Sequence, residues 1–304
     1  MLYTDSSRGR SFAKDPAVVW YAGRYLMYYS IPAYGDGRPG DGLAIGIAES
    51  QDLEAWRRIG EIAPQADYEK NGLCAPGALV HDGRLHLFYQ MYGNGPRDAI
   101  CHAVSDDGLH FERNATNPII RPSGAWNCGR AIDADVVVDG ERLLLYWATR
   151  DPAMRVQMLG VSGAPLASAF GREDWVQLCE GPILAPELAW EQECIEAPAV
   201  CRHEGRFYMF YGGAYNCMPQ QIGCAVSDDG VLWKRLSAEP FLPNGPAGAW
   251  NACESGHPYV FEDRDGRTHL FYQGSADKGQ TWYLSRVELA WGPAGPRIMA
   301  GSVR

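Results

Sequence analysis

An all-β fold, a five-bladed β-propeller with four-stranded antiparallel blades around a central axis, is what this sequence predicts, on three observations. First, one unit recurs five times: residues 15–29 read DPAVVWYAGRYLMYY, 75–89 APGALVHDGRLHLFY, 133–147 DADVVVDGERLLLYW, 197–211 APAVCRHEGRFYMFY and 257–272 HPYVFEDRDGRTHLFY. Each copy is a short apolar run, a Gly-containing turn and an aromatic-rich run, the pattern of a β-hairpin. Second, the residues that open the copies, Asp15, Ala75, Asp133, Ala197 and His257, are 60, 58, 64 and 60 positions apart. A period near 60 with room for four short strands belongs to a propeller blade and not to a solenoid repeat. Third, aromatics make up 12% of the chain and Gly and Pro number 35 and 20, which suits strands joined by tight turns. No segment of 12 or more residues has a convincing helical period, so helix should be scarce.

Taken in order, each unit also repeats in its second half. Residues 103–111 (AVSDDGLHF) and 225–233 (AVSDDGVLW) are near copies, and 48–56 (AESQDLEAW) is a weaker one. Each ends an apolar strand in a Ser/Asp turn and places an aromatic where the outermost strand opens. Residues 160–175 diverge, so the third blade carries an insertion here. Loops containing Trp126 (SGAWNC), Trp190 (WEQEC) and Trp250 (AGAWNAC) lead into the third, fourth and fifth inner strands. The whole chain, 1–304, reads as one propeller domain. The N-terminal segment and the tail from 280 to 304 are expected to share the last blade.

A net charge of −10 argues against nucleic acid and anionic membranes as partners. The nine Cys form no CxxC pair and no zinc-finger spacing, and read as small buried hydrophobes in a reducing compartment. The first residues lack the apolar core of a signal peptide, and no run of 18 apolar residues occurs; a cytoplasmic location is therefore expected.

In a propeller the innermost strands ring the axis, so their first residues converge at one mouth. Those positions hold Asp15, Cys74 with Ala75, Asp133, Glu196 and His257. Three clustered carboxylates are costly unless partnered, and the purpose that fits them is acid/base chemistry.

Lys14-Asp15-Pro16, Ala131-Ile132-Asp133 and Glu196-Ala197-Pro198 resemble the three acidic motifs of glycoside hydrolase family 43, the five-bladed arabinofuranosidases, xylosidases and arabinanases. Gly256-His257-Pro258 resembles the axial His segment of that family. The resemblance covers essentially the whole chain. It departs at Ala134, where the family commonly has Pro, and at Ala197, where it commonly has Gly. It implies that Asp15 is the general base, Glu196 the general acid, and Asp133 the group that raises the pKa of Glu196 and orients it. Glu193 competes with Glu196 for the acid role, and Asp135 with Asp133, because simple strand alternation puts both Asp residues on one face. Glu193-Cys194 also resembles the related fructosidase clan, although that clan's Asn-Asp-Pro-Asn motif is absent. His257 is either a satisfied buried His or, as in some relatives, the contact of a structural calcium on the axis; no other cofactor is required.

Trp126, Trp190 and Trp250 could stack on sugar rings or fill the wedge between blades. His86 and His269, at matching places in GRLHLFYQ and GRTHLFYQ, read as blade packing. The function expected is an inverting, exo-acting glycosidase on small pentose-containing oligosaccharides, of α-L-arabinofuranosidase or β-xylosidase type. The alternatives are a retaining, fructosidase-like propeller enzyme and a non-catalytic sugar-binding propeller.

Overall fold

The structure is a computed structural model and describes residues 1–38 and 41–301. It consists of five sheets, each of four antiparallel strands in sequence order. The first blade is β1 (Lys14–Tyr21), β2 (Arg24–Ile31), β3 (Ala44–Ser50) and β4 (Arg57–Ile62); the second is β5 (Leu73–His81), β6 (Arg84–Met91), β7 (Ala99–Ser105) and β8 (Glu112–Arg113). The third is β9 (Ile132–Asp139), β10 (Arg142–Arg150), β11 (Gln157–Pro165) and β12 (Val176–Gln177); the fourth is β13 (Ile195–His203), β14 (Arg206–Gly213), β15 (Gln221–Ser227) and β16 (Lys234–Arg235). The fifth is β17 (Glu254–Glu262), β18 (Thr268–Ser275), β19 (Tyr283–Gly292) and β20 (Gly295–Ile298). Inner strands pack on one another in a ring, β1 on β5, β5 on β9, β9 on β13, β13 on β17 and β17 on β1. Among the described residues helix is confined to 3-10 turns at Asp67–Glu69, Gly95–Arg97 and Arg172–Asp174, and no helix is long and apolar enough to cross a membrane.

The wedges between blades are filled by the aromatics of the second strands. Tyr28, Tyr29, Tyr89, Tyr146, Trp147, Tyr211 and Tyr272 are all fully buried. A polar clamp repeats with them. Tyr89 and Arg113 both donate to buried Glu69, and Tyr211 and Arg235 to buried Glu191. In the first blade the equivalent pair, Tyr29 and Arg58, donates to Asp5 of the N-terminal segment. Removing one partner of such a clamp leaves an uncompensated buried charge, at a cost of about 3–5 kcal/mol.

That clamp explains how the ring closes, and it differs from the expected sharing of the last blade. All four strands of the fifth blade come from the C-terminal part of the chain. The N-terminal segment adds no strand to it; Tyr3 bridges to Leu284 and Asp5 then continues into the first blade's clamp. The first residues thus tie blade five to blade one through hydrogen bonds and one ionic cluster.

Every inner strand carries the same irregularity near its start. Asp15, Ala75, Asp133, Ala197 and His257 all have left-handed backbone, with φ between 46° and 55°. The register of each inner strand against its neighbour shifts at this point. These are β-bulges, and a Pro follows in four of the five, where a missing N–H breaks no ladder bond. Such strain persists only where neighbours hold it. Asp15 N–H donates to Gln273, Ala75 N–H to Ser30, Asp133 N–H to Gln90 and His257 N–H to Gln220, each acceptor belonging to the preceding blade. Around the ring the inner strands also approach closely: a Cβ on Gly77 would lie 2.3 Å from the Ala134 carbonyl oxygen.

Candidate active site

The bulges aim the ring's polar residues into one cavity. It has a volume of about 700 Å3, and its walls include Asp15, Cys74, Ala75, Asp133, Glu196 and His257. These are the positions expected to converge at the mouth. Among them His257 is central: its Nε2 lies 3.3 Å from Asp15 Oδ1 and 3.4 Å from Asp133 Oδ1. Lys14 Nζ lies 3.9 Å from Asp15 Oδ1.

Asp133 and Asp135 are separated by the bulge. Strict alternation would point both the same way, but the left-handed residue at Asp133 interrupts the pleat. Asp133 faces the cavity, whereas Asp135 is buried between blades, where its Oδ2 accepts from Val200 N–H at 2.6 Å. Burial pushes the Asp135 carboxyl up to about 7. The competition between Glu193 and Glu196 is resolved by exposure. The Glu193 side chain is 53% exposed and pairs with Arg155 at 3.1 Å, while Glu196 is buried on the cavity wall.

Two glutamines hold Glu196. Gln220 Nε2 donates to Glu196 Oε1 at 2.6 Å, and Gln157 Nε2 donates to Oε2. Gln220 also accepts from His257 N–H at 3.1 Å, so one amide sets both acid and axial His. It reaches them because its neighbours have no side chain: a Cβ on Gly256 would sit 1.8 Å from Gln220 Oε1, and one on Gly212 would be 3.0 Å away.

The electrostatics push Asp15 and Glu196 in opposite directions. Burial would raise the Asp15 carboxyl, but the charges of His257 and Lys14, with a hydrogen bond from Ser30, hold it below the usual carboxylate range. Burial and the neighbouring Asp133 carboxylate raise Glu196, against the pull of His257, Gln220 and Lys14. Burial would depress His257, yet the carboxylates of Asp15 and Asp133 carry it from 6.5 up to about 9. A base pushed down and an acid pushed up is the direction of shifts that glycosidic cleavage requires.

The state of His257 also bears on calcium. A protonated imidazole between two carboxylates offers no lone pair, and calcium takes oxygen ligands. Among the described residues no group of three or more His, Cys, Asp or Glu side chains is placed to hold a metal ion. His257, Asp15 and Asp133 form an ion triad with a pH signature. Because its folded pKa is raised, His257 contributes stability that is fully present below pH 6.5 and is lost as pH rises through about 9. Asp135 and Glu254, both raised to about 7, complete most of their titration earlier. The urea midpoint is therefore expected to fall between pH 7 and pH 9, and to fall less in His257→Gln; equal slopes in the two proteins would remove the ion triad.

Trp126, Trp190 and Trp250 do not line the cavity. Trp126 stacks on Trp147 with ring centres 5.8 Å apart, Trp190 on Tyr211 at 6.1 Å, and Trp250 on Tyr272 at 5.7 Å. Trp190 and Trp250 lie over Gly213 and Gly274, where a Cβ would come within 2.2 Å of each ring. Of the two readings open in the sequence, wedge packing is the one this geometry supports. His86 and His269 sit within their blades, the first 3.0 Å from His102 Nε2 and the second 2.8 Å from Arg286.

The cavity's aromatics are Phe12, Tyr92, Tyr215 and Trp282. Trp282 had a legible signal that was missed. Residues 275–282 read SADKGQTW, sharing the Ser-x-Asp turn that ends third strands at Ser105 and Ser227, with its Gly one position later. In all three the Ser Oγ lies 3.0 Å from the Asp two residues on. In the fifth blade this turn follows the second strand instead, on the opposite rim, and so delivers its Trp to the mouth. Lys14 Nζ lies 4.5 Å from the centre of that ring.

Comparison with known proteins agrees with this construction. The model of Glycosyl hydrolases family 43 matches residues 9–290. The chain is 35% identical over 108 residues to sucrose-6-phosphate hydrolase of Bacillus subtilis, covering 33% of this chain and 22% of that protein. It is 27% identical over 210 residues to 1,2-beta-oligomannan phosphorylase of Thermoanaerobacter sp., covering 66% of this chain and 64% of that one. The chain thus spans less than two thirds of the length of these curated relatives. Among solved structures, a thermostable family-43 glycoside hydrolase has a TM-score of 0.77 at 22% identity, over 99% of this chain and 97% of that one. An alpha-L-arabinofuranosidase from Lactobacillus brevis has a TM-score of 0.70 at 19% identity, over 95% and 94%. With a family model matched from residue 9 to residue 290, along all five blades, the chain belongs to glycosyl hydrolases family 43.

Proposed function

We propose that the protein is an inverting, exo-acting glycosidase that releases a terminal pentose from small oligosaccharides, of α-L-arabinofuranosidase or β-xylosidase type. The observation that carries this reading is the convergence of Asp15, Asp133 and Glu196 on one cavity, with the Asp15 carboxyl pushed down and the Glu196 carboxyl pushed up from their ordinary ranges. Asp15 takes a proton from the attacking water. Glu196 gives its proton to the leaving oxygen, and Asp133 keeps it available for that step. A cavity of about 700 Å3 suits one or two sugar units. The arabinofuranosidase among the structural neighbours supports the choice of pentose.

A second reading, a retaining enzyme on fructosides with Asp15 as nucleophile, is favoured by the similarity to sucrose-6-phosphate hydrolase. Release of aryl leaving group from α-L-arabinofuranoside, β-D-xyloside, β-D-galactoside, β-D-fructoside and β-D-mannoside substrates, with the first-formed anomer read by proton NMR, separates the two. Turnover of a pentoside with inversion is the expected result. Retention on a fructoside supports the second reading, and silence on every sugar counts against both.

A further inference from the structure

The cations of the cavity exceed what a neutral sugar requires. In a chain of net charge −10, Arg10, Lys14, Arg130, Arg150 and His257 face this one cavity together with its three carboxylates. Lys14 and His257 are accounted for by Asp15 and Asp133. The arginines have a different setting.

Arg130 and Arg150 are adjacent. Gly129 N–H donates to the Arg150 carbonyl at 3.0 Å, and a Cβ on Gly129 would come within 2.6 Å of Arg150, so only a glycine lets the two segments lie this close. Arg130 pairs with Asp98 at 2.7 Å, but its Nε is buried without a hydrogen-bond partner. No carboxylate lies within ion-pair distance of Arg150 among the described residues. Its Nε donates to Gln157 Oε1 at 2.8 Å, and its guanidinium lies 4.9 Å from the Tyr215 ring centre. Gln157 in turn donates to Glu196, so Arg150 stands two hydrogen bonds from the proposed acid. At the rim, exposed Arg10 lies over Phe12 at 4.8 Å.

Arg150 Nη1 makes only a long contact, 3.5 Å, to the Met154 carbonyl, and Nη2 is uncommitted among the described residues, so the guanidinium keeps N–H groups that match a phosphate or carboxylate. Hydroxyl groups need no such charge. We propose that Arg130 and Arg150, with Arg10 at the rim, form an oxyanion subsite of the cavity, and that the natural substrate presents a phosphate or carboxylate group there. The statement about substrate rests on the glycosidase reading; the statement about the subsite does not. Free inorganic phosphate has the same chemistry. It would act as a second substrate: a phosphate oxygen bonds to the anomeric carbon as the glycosidic C–O bond breaks, and the proton of Glu196 passes to the leaving oxygen.

The test is titration of the full chain with inorganic phosphate at constant ionic strength, with chloride as control, followed by calorimetry and by the thermal midpoint. Wild type and Asp15→Asn are expected to bind phosphate and gain thermal stability. Binding should weaken about tenfold or more in Arg150→Gln, the worth of one charge-assisted hydrogen bond, and partly return in Arg150→Lys. Arg10→Gln, at an exposed position, tests the rim without disturbing the core. Phosphate binding no better than chloride, or unchanged in both Arg150→Gln and Arg10→Gln, overturns the subsite. Given binding, competitive inhibition of turnover places the anion on the substrate, and release of a sugar 1-phosphate identifies free phosphate as the partner. Arginine-dependent binding in a protein silent on every aryl glycoside, with and without phosphate, leaves the subsite standing and removes the reading as a glycosidase of neutral pentosides. Turnover of neutral pentosides without phosphate binding does the reverse.

Discussion

Asp15→Asn is expected to lower kcat by about 10²–10⁴-fold, the usual contribution of a positioned base, with little change in KM. The change is small in structure. Asn tolerates the left-handed backbone that Asp15 adopts at φ 53°, and Gln273 still receives its N–H. The variant therefore folds, and its thermal midpoint reports this independently. What is lost is the negative charge that His257 and Lys14 maintain. With Asn the site cannot take a proton from water, and His257 loses one of its two carboxylate partners. Stopped assays on whichever aryl glycoside the wild type turns over provide the measurement. Retention of more than about a tenth of wild-type kcat would remove Asp15 from the role of base.

Glu196→Ala is expected to separate substrates by leaving group. A leaving oxygen of high pKa needs a proton in the transition state, so natural oligosaccharides should lose about 10²–10⁴-fold in kcat. Nitrophenyl glycosides, whose leaving group departs as an anion, should lose far less. The pH profile should change with it. In the wild type, kcat/KM falls at high pH as Glu196 loses its proton, at a pH above the ordinary carboxylate range, because burial and Asp133 raise it. It falls at low pH as Asp15 gains one, below that range. In Glu196→Ala the high-pH limb attributable to the acid should disappear on nitrophenyl substrates. Equal losses on both substrate types, with the limb still present, would show that another group supplies the proton.

The convergence of Asp15, Asp133, Glu196 and His257 was legible because inner-strand starts meet on a propeller axis, and five repeats located those starts. Asp133 could not be told from Asp135 in the same way. Period-two alternation is a property of a regular pleat, and the bulge that separates them is a backbone conformation no pattern of apolar residues encodes. The three loop tryptophans were ambiguous for a related reason. Aromatic rings suit both a sugar face and a blade wedge, and only the glycines beneath Trp190 and Trp250 reveal which surface they cover. Trp282 was legible in principle, through SADKGQTW, but its strand position decides which rim it reaches.

The sequence by itself determined the number of blades, the order of the strands, the strand starts where acidic residues converge and the family resemblance, since these follow from local hydrophobic period and from motifs repeated at a fixed spacing. Tertiary structure alone decided which carboxylate faces the cavity, which way its pKa is pushed, and which side chains hold it. Those properties depend on distances between residues of different blades. Gln220 and Gln157 hold Glu196, His257 stands between Asp15 and Asp133, and Arg150 reaches the acid through Gln157, all contacts set by how neighbouring sheets pack around the axis.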